Sequence, residues 1–133
     1  MSRSVVITRP KEDASDYAEE LVASGFDAIV EPMLAIQDVA VDYPDFSDFD
    51  AILLTSANAV RAFVQGCDAG WLELPVYCVG KHSAAAAREG GFKNAHSVDG
   101  TGVDLLAHVC SLARFERFNF LHICGRHVAF PLV

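Results

Sequence analysis

The clearest structural signal in this chain is the stretch Asp50-Ala51-Ile52-Leu53-Leu54-Thr55-Ser56-Ala57-Asn58-Ala59-Val60. Its apolar residues 51–54 are typical of a short strand that is buried on both faces of a parallel sheet. The polar residues Thr55, Ser56 and Asn58 follow at once, and side chains of these types cap the first turn of a helix. The stretch therefore predicts a strand, a tight turn and a helix. The turn is expected at the carboxyl end of a parallel strand, where open α/β sheets bind ligands.

The same alternation of strands and helices extends to both sides of this stretch. Strands are predicted at residues 4–8, 27–31, 51–54, 76–79, 94–96 and 120–124. Helices are predicted from Pro10 to a cap at Gly25, with a buried stripe, and at residues 57–65, 83–89 and 103–112. The stripe of the first helix consists of Tyr17, Ala18, Leu21 and Val22. Because strands that alternate with helices pair in parallel, the predicted fold class is α/β, with helices on both faces of a parallel sheet.

A domain boundary is predicted where the second strand ends. Pro32 stops that strand, and residues 33–39 are extended in character but follow no helix. Such a segment is expected to cross from one lobe to another. With 133 residues, of which 52% are hydrophobic, the chain is long enough for one full lobe and part of a second. The lobe begun by the first strand and helix is then incomplete, and a longer form of the chain or a partner is expected to supply the remainder.

The charge balance limits the classes of ligand. The chain has 18 acidic and 10 basic side chains, a formal net charge of −8, and no stripe of lysine or arginine. Nucleic-acid binding and adhesion to an anionic membrane are therefore not expected. An anionic small molecule would have to be held locally, by backbone N–H groups and a few side chains. The sequence shows neither an apolar run of roughly 20 residues nor a secretory signal, so the expected location is the cytoplasm.

The remaining reactive residues match no catalytic or metal motif. The four cysteines form no C-x-x-C pair and are expected to be buried free thiols, with disulfides or a metal site as the less favoured alternatives. The five histidines lack zinc-ligand spacing, so no metal is expected. The sequence Gly80-Lys81-His82-Ser83 lacks the upstream glycine of a P-loop, and the glycine-rich dinucleotide motif is absent. No serine or cysteine has an identifiable general base.

Five predicted strand ends carry small polar residues or glycine. They are Thr8-Arg9, residues 55–58, residues 80–83, residues 100–102 and Gly125-Arg126. Each precedes a predicted helix and so directs backbone N–H donors at one edge of a sheet, where they favour an anion. Arg9 has the planar guanidinium that clamps a carboxylate, and Lys81 could neutralise one. For a single turn the alternative is purely structural, since turns of this kind need glycine and capping residues to form.

Taken in order, four motifs resemble the uroporphyrinogen-III synthase family of tetrapyrrole biosynthesis. They are Val5-Val6-Ile7-Thr8-Arg9-Pro10, Phe49-Asp50-Ala51-Ile52-Leu53-Leu54-Thr55-Ser56-Ala57-Asn58-Ala59-Val60, Val79-Gly80-Lys81-His82-Ser83-Ala84-Ala85 and Gly100-Thr101-Gly102-Val103-Asp104-Leu105-Leu106. The resemblance covers about the first half of the family's usual length. It implies two flavodoxin/Rossmann-like lobes with parallel sheets joined by crossing strands. Residues 1–34 then begin lobe 1, residues 35–38 are the connector strand, and residues 39–133 form lobe 2, which continues past the end of the chain.

The resemblance also implies an activity. The family cyclises hydroxymethylbilane, a linear tetrapyrrole, to uroporphyrinogen III with loss of water and inversion of ring D, and it needs no cofactor. By match to the family's motifs, the residues expected to contact the substrate are Thr55, Ser56, Asn58, Gly80 and Ser83, with Arg9, Gly102 and Gly125 as looser matches. The family's usual proton donor is a tyrosine beyond this chain's end, so the catalytic residue is unknown. The full-length protein is expected to be a monomer.

Two other interpretations stay open at this point. The same strand ends would suit a non-catalytic, flavodoxin-like module that binds a small anion or a protein partner. Alternatively, these 133 residues are inactive alone because most of one lobe is missing.

Asn58 departs from the pattern of the family. It stands where some relatives carry a basic residue, which puts a charge contact at that position in question.

Overall fold

The computed structural model describes residues 3–112 and 117–127. The chain divides into two compact units, Met1–Val39 and Ala40–Val133, which we call unit 1 and unit 2. Both units contain a sheet in which all strands run parallel, with helices between the strands. The predicted α/β fold class with parallel sheets is therefore confirmed. Among the residues described, no helix is long and apolar enough to cross a membrane.

Unit 1 is a single β-α-β element. Strand β1 (Arg3–Ile7), helix α1 (Lys11–Ala23) and strand β2 (Phe26–Val30) follow one another, and β1 and β2 pair in parallel. Pro10 occupies the N-cap of α1, where its fixed φ and missing N–H suit a helix start. Gly25 follows the helix at φ 85°, a left-handed conformation that glycine adopts without strain. Both helix boundaries are those that proline and glycine predict.

The predicted buried stripe of α1 is only partly confirmed. Ala18 and Leu21 are half-buried, but Tyr17 and Val22 are 45% and 60% exposed, and only Ile7 and Ala14 are buried among the residues described in this unit. A two-stranded sheet offers α1 too little surface to cover a full apolar stripe. Residues 31–45 form neither helix nor strand, so within the described part of the chain the segment at 35–38, expected to be a connector strand, pairs with no strand. The predicted lobe boundaries stay a prediction.

Over residues 40–112 and 117–127, unit 2 contains a four-stranded sheet with three helices. In chain order its elements are β3 (Ala51–Leu54), α2 (Ala57–Gly66), β4 (Val76–Val79), α3 (Gly80–Glu89), β5 (Ala95–Val98), α4 (Gly102–Leu112) and β6 (Phe120–Ile123). Short 3-10 helices span Phe46–Asp48 and Ala69–Glu73. The strand order across the sheet is β5-β4-β3-β6, and every pair is parallel. Helix α3 begins at Gly80, three residues before its predicted start.

Strand β3 lies at the centre of two apolar layers. Alternate side chains of a strand point to opposite faces of a sheet, and all four residues of β3 are buried. Ile52 and Leu54 pack in a layer with residues of α2 and α3. Leu53 packs on the other face against Leu105 and Val109 of α4. The four-residue apolar run therefore is a strand covered on both faces, as the sequence indicates.

The cysteines occupy different environments. All four are free thiols, but Cys78 alone is buried, while Cys110 and Cys124 are exposed and Cys67 is half-buried. Burial raises the pKa of Cys78 to about 11, mainly because a thiolate is poorly solvated in the apolar layer. Burial also raises the pKa of Cys67. The expectation of uniformly buried thiols is thus wrong for the two cysteines near the ends of α4 and β6.

Alkylation should follow these environments, because the thiolate is the reactive form. We expect iodoacetamide at neutral pH to label Cys110 and Cys124 quickly, Cys67 slowly, and Cys78 only after unfolding. Peptide mass spectrometry of native protein, with a urea-unfolded sample as control, measures the order. Labelling of Cys78 at the rate of Cys124 in the native protein would contradict the buried position.

Candidate functional site

The strand order of unit 2 reverses direction at β3. From β3 the chain proceeds outward to β4 and β5, and it then returns to place β6 on the opposite side of β3. The return reverses the direction of winding, and α4 accordingly packs on the face opposite to α2 and α3. In open α/β sheets, the loops at such a reversal diverge and leave a crevice at the carboxyl ends of the two strands. This crevice is the usual ligand site of these folds. Here those strands are β3 and β6.

The turn from β3 to α2 lies directly at this reversal. Leu54, the last residue of β3, pairs with Ile123, the last residue of β6. Thr55 is exposed, and Ser56 is the N-cap of α2, where its Oγ accepts a hydrogen bond from the Ala59 N–H at 3.1 Å. The hydroxyl proton of Ser56 can still be donated, since the capping bond uses only a lone pair. The turn therefore offers hydroxyl donors beside the amino end of a helix.

Asn58 and Arg61 form a pair on the same turn of α2. The Arg61 Nη2 donates a hydrogen bond to the Asn58 Oδ1, and both side chains are half-buried. Arg61 did not emerge from the sequence because it lies inside a predicted helix rather than at a strand end. Its spacing of three residues from Asn58 is the signal that could have found it, since residues three apart share a helix face.

The turn from β4 to α3 is the neighbour of this turn on one side. Gly80 has a φ of 78°, which favours glycine, and it begins α3 without any side-chain cap. Ser83 lies inside the first turn of α3 and is only 6% exposed. Lys81 and His82 are exposed. Because Leu54 pairs with Cys78 near the end of β4, this uncapped helix end lies next to the β3 turn.

The turn from β5 to α4 has a structural explanation of its own. The Asp104 carboxylate accepts hydrogen bonds from the Thr101 N–H at 2.7 Å and from the Thr101 Oγ1 at 2.9 Å. The Thr101 Oγ1 in turn accepts one from the Val103 N–H at 3.3 Å. This reciprocal arrangement is a capping box that satisfies helix donors and places a negative charge at the turn. Gly102, predicted to bind substrate, belongs to a helix end that the protein's own carboxylate already occupies.

This capping box makes a prediction about acid stability. Hydrogen bonds from Thr101 hold the pKa of Asp104 below its ordinary value of 3.8, and Ser47 does the same for Asp45. A carboxyl whose pKa is lower in the folded state stabilises the fold above its unfolded pKa, and that stability is lost as the pH falls through the folded value. We therefore expect the urea midpoint to fall as the pH drops below about 4.

The matched variants separate this effect from general acid unfolding. Asp104→Asn keeps an acceptor without a titrating charge, so its midpoint should fall less steeply below about pH 4 than that of the parent. Asp99→Asn removes a nearby aspartate outside the capping box and should follow the parent. The fluorescence of Trp71, the single tryptophan, reports unfolding because its side chain is 1% exposed in the core of unit 2. Identical profiles for the two variants would contradict the role of the Asp104 hydrogen bonds.

The last two predicted residues lie in different units. Gly125 directly follows Cys124 at the end of β6 and is exposed at the reversal beside the β3 turn. Arg9 follows β1 in unit 1, and its guanidinium carbon lies 5.0 Å from the centroid of the Tyr17 ring. That distance suits a cation–π contact, which orders the guanidinium on α1. The structure thus brings Thr55, Ser56, Asn58, Gly80 and Gly125 to one edge of one sheet.

His122 was not singled out from the sequence. Its Nε2 atom is buried and has no hydrogen-bond partner among the residues described, and burial lowers the pKa of the imidazole. His122 pairs with Leu53 and shares its face of the sheet, under α4. It therefore lies on a face of the sheet rather than at the carboxyl edge, where a proton donor to a ligand would be needed.

These features define a parallel α/β unit with hydroxyls, an amide and helix ends beside its topological reversal. Comparison with known proteins specifies the family. The model of the family described as uroporphyrinogen-III synthase HemD matches residues 15–129. The chain belongs to the uroporphyrinogen-III synthase family.

One curated relative is the uroporphyrinogen-III synthase of Chlorobaculum parvum (strain DSM 263 / NCIMB 8327). It is 36% identical to this chain over 64 residues. The matched region makes up 47% of this chain and 26% of the relative. The match thus spans about a quarter of that relative's length.

Proposed function

We propose that this chain contributes the substrate-binding part of an enzyme that cyclises hydroxymethylbilane to uroporphyrinogen III, with loss of water and inversion of ring D. The observation that carries the proposal is the β3 turn, with Thr55, Ser56 and Asn58 at the reversal of the sheet in a member of this family. In this proposal residues 1–34 begin one lobe, residues 35–38 connect, and residues 39–133 belong to the second lobe.

The chemistry of the substrate suits these donors. Hydroxymethylbilane carries eight carboxylates, whereas the chain has a net charge of −8 and cannot attract it at long range. Binding then depends on local donors, which are the hydroxyls of the β3 turn and the backbone N–H groups at the starts of α2 and α3. These groups have fixed positions before the substrate arrives, so they lose little conformational entropy on binding.

Such a site catalyses by positioning. The linear tetrapyrrole also closes without an enzyme, to the isomer in which ring D is not inverted, so the enzyme has to hold the chain in the conformation that leads to inversion. Holding reacting groups together is a large source of rate enhancement and requires no nucleophile in the protein. Thr55, Ser56, Asn58, Gly80 and Ser83 are proposed to hold carboxylates, and Gly125 is proposed to do so from the loop after β6.

The looser matches have weaker support. Gly102 lies beside the Asp104 carboxylate, which would repel a substrate carboxylate. Arg9 lies in unit 1 and would act from that lobe.

We further propose that the enzyme is cytoplasmic and acts as a monomer. In this proposal it needs no cofactor, because the reaction only loses water and rearranges bonds.

The isomer assay tests this proposal. Hydroxymethylbilane is incubated with the chain and, in parallel, with a longer form of the protein that contains it, and the products are oxidised and separated as uroporphyrin isomers. We expect isomer III from the longer form. Isomer I alone, as in buffer, from both samples would refute the proposed activity. Isomer III from the 133-residue chain itself would show that this chain is sufficient.

A non-catalytic anion-binding module is the second candidate. It is favoured by one observation, namely that the residues described at the β3 and β4 turns include no paired acid and base. Isothermal titration with uroporphyrin I, a stable octacarboxylate, and with small acidic metabolites separates the two candidates. Binding of the metabolites without binding of the porphyrin would favour the module. Trp71 is unsuited as a binding probe, because it precedes β4 and so lies at the opposite edge of the sheet.

A further inference from the structure

Three hydrogen bonds fasten the residue before β6 to the segment that leads into β3. The Asn119 N–H donates to the Asp50 Oδ2 at 2.7 Å, and the Asn119 carbonyl accepts from the Asp50 N–H at 2.9 Å. The Asn119 Nδ2 donates to the Asp48 carbonyl at 3.2 Å. We call this set of hydrogen bonds the β6 clamp. It joins β6 to the residue before β3 and to the end of the first 3-10 helix.

The clamp lies at the end of the sheet opposite to the candidate site. Asn119 directly precedes β6, and Asp50 directly precedes β3. From there the two strands pair in parallel along the whole length of β3. Four residues of a strand span about 13 Å, so the clamp and Gly125 lie at opposite ends of β6. The clamp can therefore affect the candidate site only through the position of β6.

Strand β6 is less firmly packed than the strand beside it. Among the residues described, β6 pairs with β3 alone and so forms an edge of the sheet. All of its residues are half-buried, whereas every residue of β3 is buried. Because an edge strand with less buried apolar surface gains less from the hydrophobic effect, we expect β6 to open at a lower free energy than unit 2 unfolds. The hydrogen bonds at its end then contribute a larger part of what keeps β6 in place.

We propose that Asp50 and Asn119 are positioning residues that keep β6 closed against β3, and so hold Gly125 beside the β3 turn. Neither residue touches the ligand. The effect of the clamp on ligand affinity rests on the proposed function, whereas its effect on the opening of β6 does not. When β6 opens, Gly125 leaves its place next to the β3 turn, and the apparent affinity is reduced in proportion to the fraction of molecules in which β6 is closed.

Amide hydrogen exchange, followed by NMR on the full chain at low urea concentrations, separates opening of β6 from unfolding of unit 2. The amides of residues 120–123 report β6, and those of residues 51–54 report β3. A local opening exposes little surface, so exchange through it depends little on urea, whereas exchange through unfolding rises steeply with urea. A pair of residues that only stabilised the fold would act on the urea-dependent exchange alone.

The variants remove the parts of the clamp one at a time. Asp50→Ala removes the carboxylate acceptor, Asp50→Asn keeps an oxygen acceptor, and Asn119→Ala removes the Nδ2 donor. Asn119→Asp replaces that donor by a second carboxylate next to Asp50. Asn94→Asp is the matched control, because Asn94 is exposed and directly precedes β5 at the same edge of the sheet. The urea midpoint from Trp71 fluorescence verifies that each variant is folded.

We expect Asp50→Ala to speed the urea-independent exchange of the β6 amides by about tenfold, the scale of one hydrogen bond to a charged group. Asn119→Ala should speed it by about fivefold, the scale of a neutral hydrogen bond, and Asp50→Asn should lie between Asp50→Ala and the parent. Asn119→Asp should have the largest effect, because its carboxylate repels that of Asp50. Asn94→Asp should change β6 exchange by less than about twofold.

Isothermal titration with uroporphyrin I connects the clamp to the candidate site. In Asn119→Asp we expect β6 to be open in about half of the molecules or more, so affinity for the porphyrin should fall by at least about twofold. Asn94→Asp adds the same charge at the same edge and should match the parent in affinity. An equal loss in both variants would attribute the effect to charge and overturn the link to the site.

Two results of the exchange experiment would overturn the inference. One is β6 exchange with the same rate and urea dependence as that of β3 in the parent, which would mean that β6 opens only when unit 2 unfolds. The other is unchanged β6 exchange in both Asp50→Ala and Asn119→Ala. Failure of the proposed function is distinguishable, because it appears as absence of isomer III or of porphyrin binding by the parent. The exchange of β6 decides the role of the clamp in either case.

Discussion

Replacing Phe63 by alanine is expected to destabilise unit 2 by about 3–5 kcal/mol, the range for a large aromatic removed from a packed core. The Phe63 side chain is completely buried, and its ring centroid lies 4.9 Å from that of Tyr43, 5.6 Å from that of Trp71 and 6.1 Å from that of Phe92. These rings come from four separate segments of the chain, so a cavity at Phe63 has no single flexible neighbour to fill it. Such a loss approaches the whole stability of a small domain.

Urea unfolding followed by Trp71 fluorescence measures the effect. Val103→Ala is the control, since Val103 is 56% exposed on α4 and should change stability by less than about 0.5 kcal/mol. Where Phe63→Ala does not fold, Phe63→Leu retains most of the volume and should cost about 1–2 kcal/mol. A loss below about 1 kcal/mol for a folded Phe63→Ala would contradict the packing described for this layer.

Replacing Asn58 by aspartate is expected to have the largest effect on binding while leaving the fold intact. A carboxylate next to the bound carboxylate repels it by about 1 kcal/mol at 4 Å in water and by more in a partly buried site, so affinity for uroporphyrin I should fall by at least about tenfold. The same negative charge lies in the first turn of α2 beside Arg61, where the helix dipole favours it. The urea midpoint should therefore stay the same or rise.

The matched control is Gln65→Glu. Gln65 is an exposed amide in the last turn of the same helix, at the opposite edge of the sheet. This variant adds one negative charge far from the reversal, so its affinity for the porphyrin should match the parent, while the helix dipole should lower its stability slightly. Equal losses of affinity in the two variants would show that net charge, and not the site, controls binding. Unchanged affinity in Asn58→Asp would remove Asn58 from the site.

Local signals in the sequence predicted most of the secondary structure. The apolar run 51–54 with its polar turn became β3 and the N-cap at Ser56, and Pro10 and Gly25 delimit α1 as expected. These features depend on residues within a few positions of each other, so they can be recognised directly in the sequence. The start of α3 was missed because Gly80 reads as a loop residue, although it lies at the first position of the helix.

The candidate site depended more on distant contacts. The five predicted strand ends looked equivalent, but the strand order selects the turns next to β3 and β6. The Asp104 carboxylate removes the turn at Gly102 from the set of open donors, and the Tyr17 ring provides Arg9 with a local partner. Capping and cation–π contacts compete with a ligand for the same groups. That competition depends on side-chain geometry, which spacing alone does not reveal.

By itself, the sequence determined that this chain alternates strands and helices, that its sheets are parallel, and that small polar residues follow the strands. It did so because hydrophobic periodicity, proline, glycine and capping residues act over a few positions. Only the tertiary structure decided that β6 lies beside β3, that Gly125 therefore adjoins the β3 turn, and that Arg61 forms a hydrogen bond with Asn58. The physical reason is that strand order is set by how the two apolar layers pack around β3, through contacts between residues far apart in the chain.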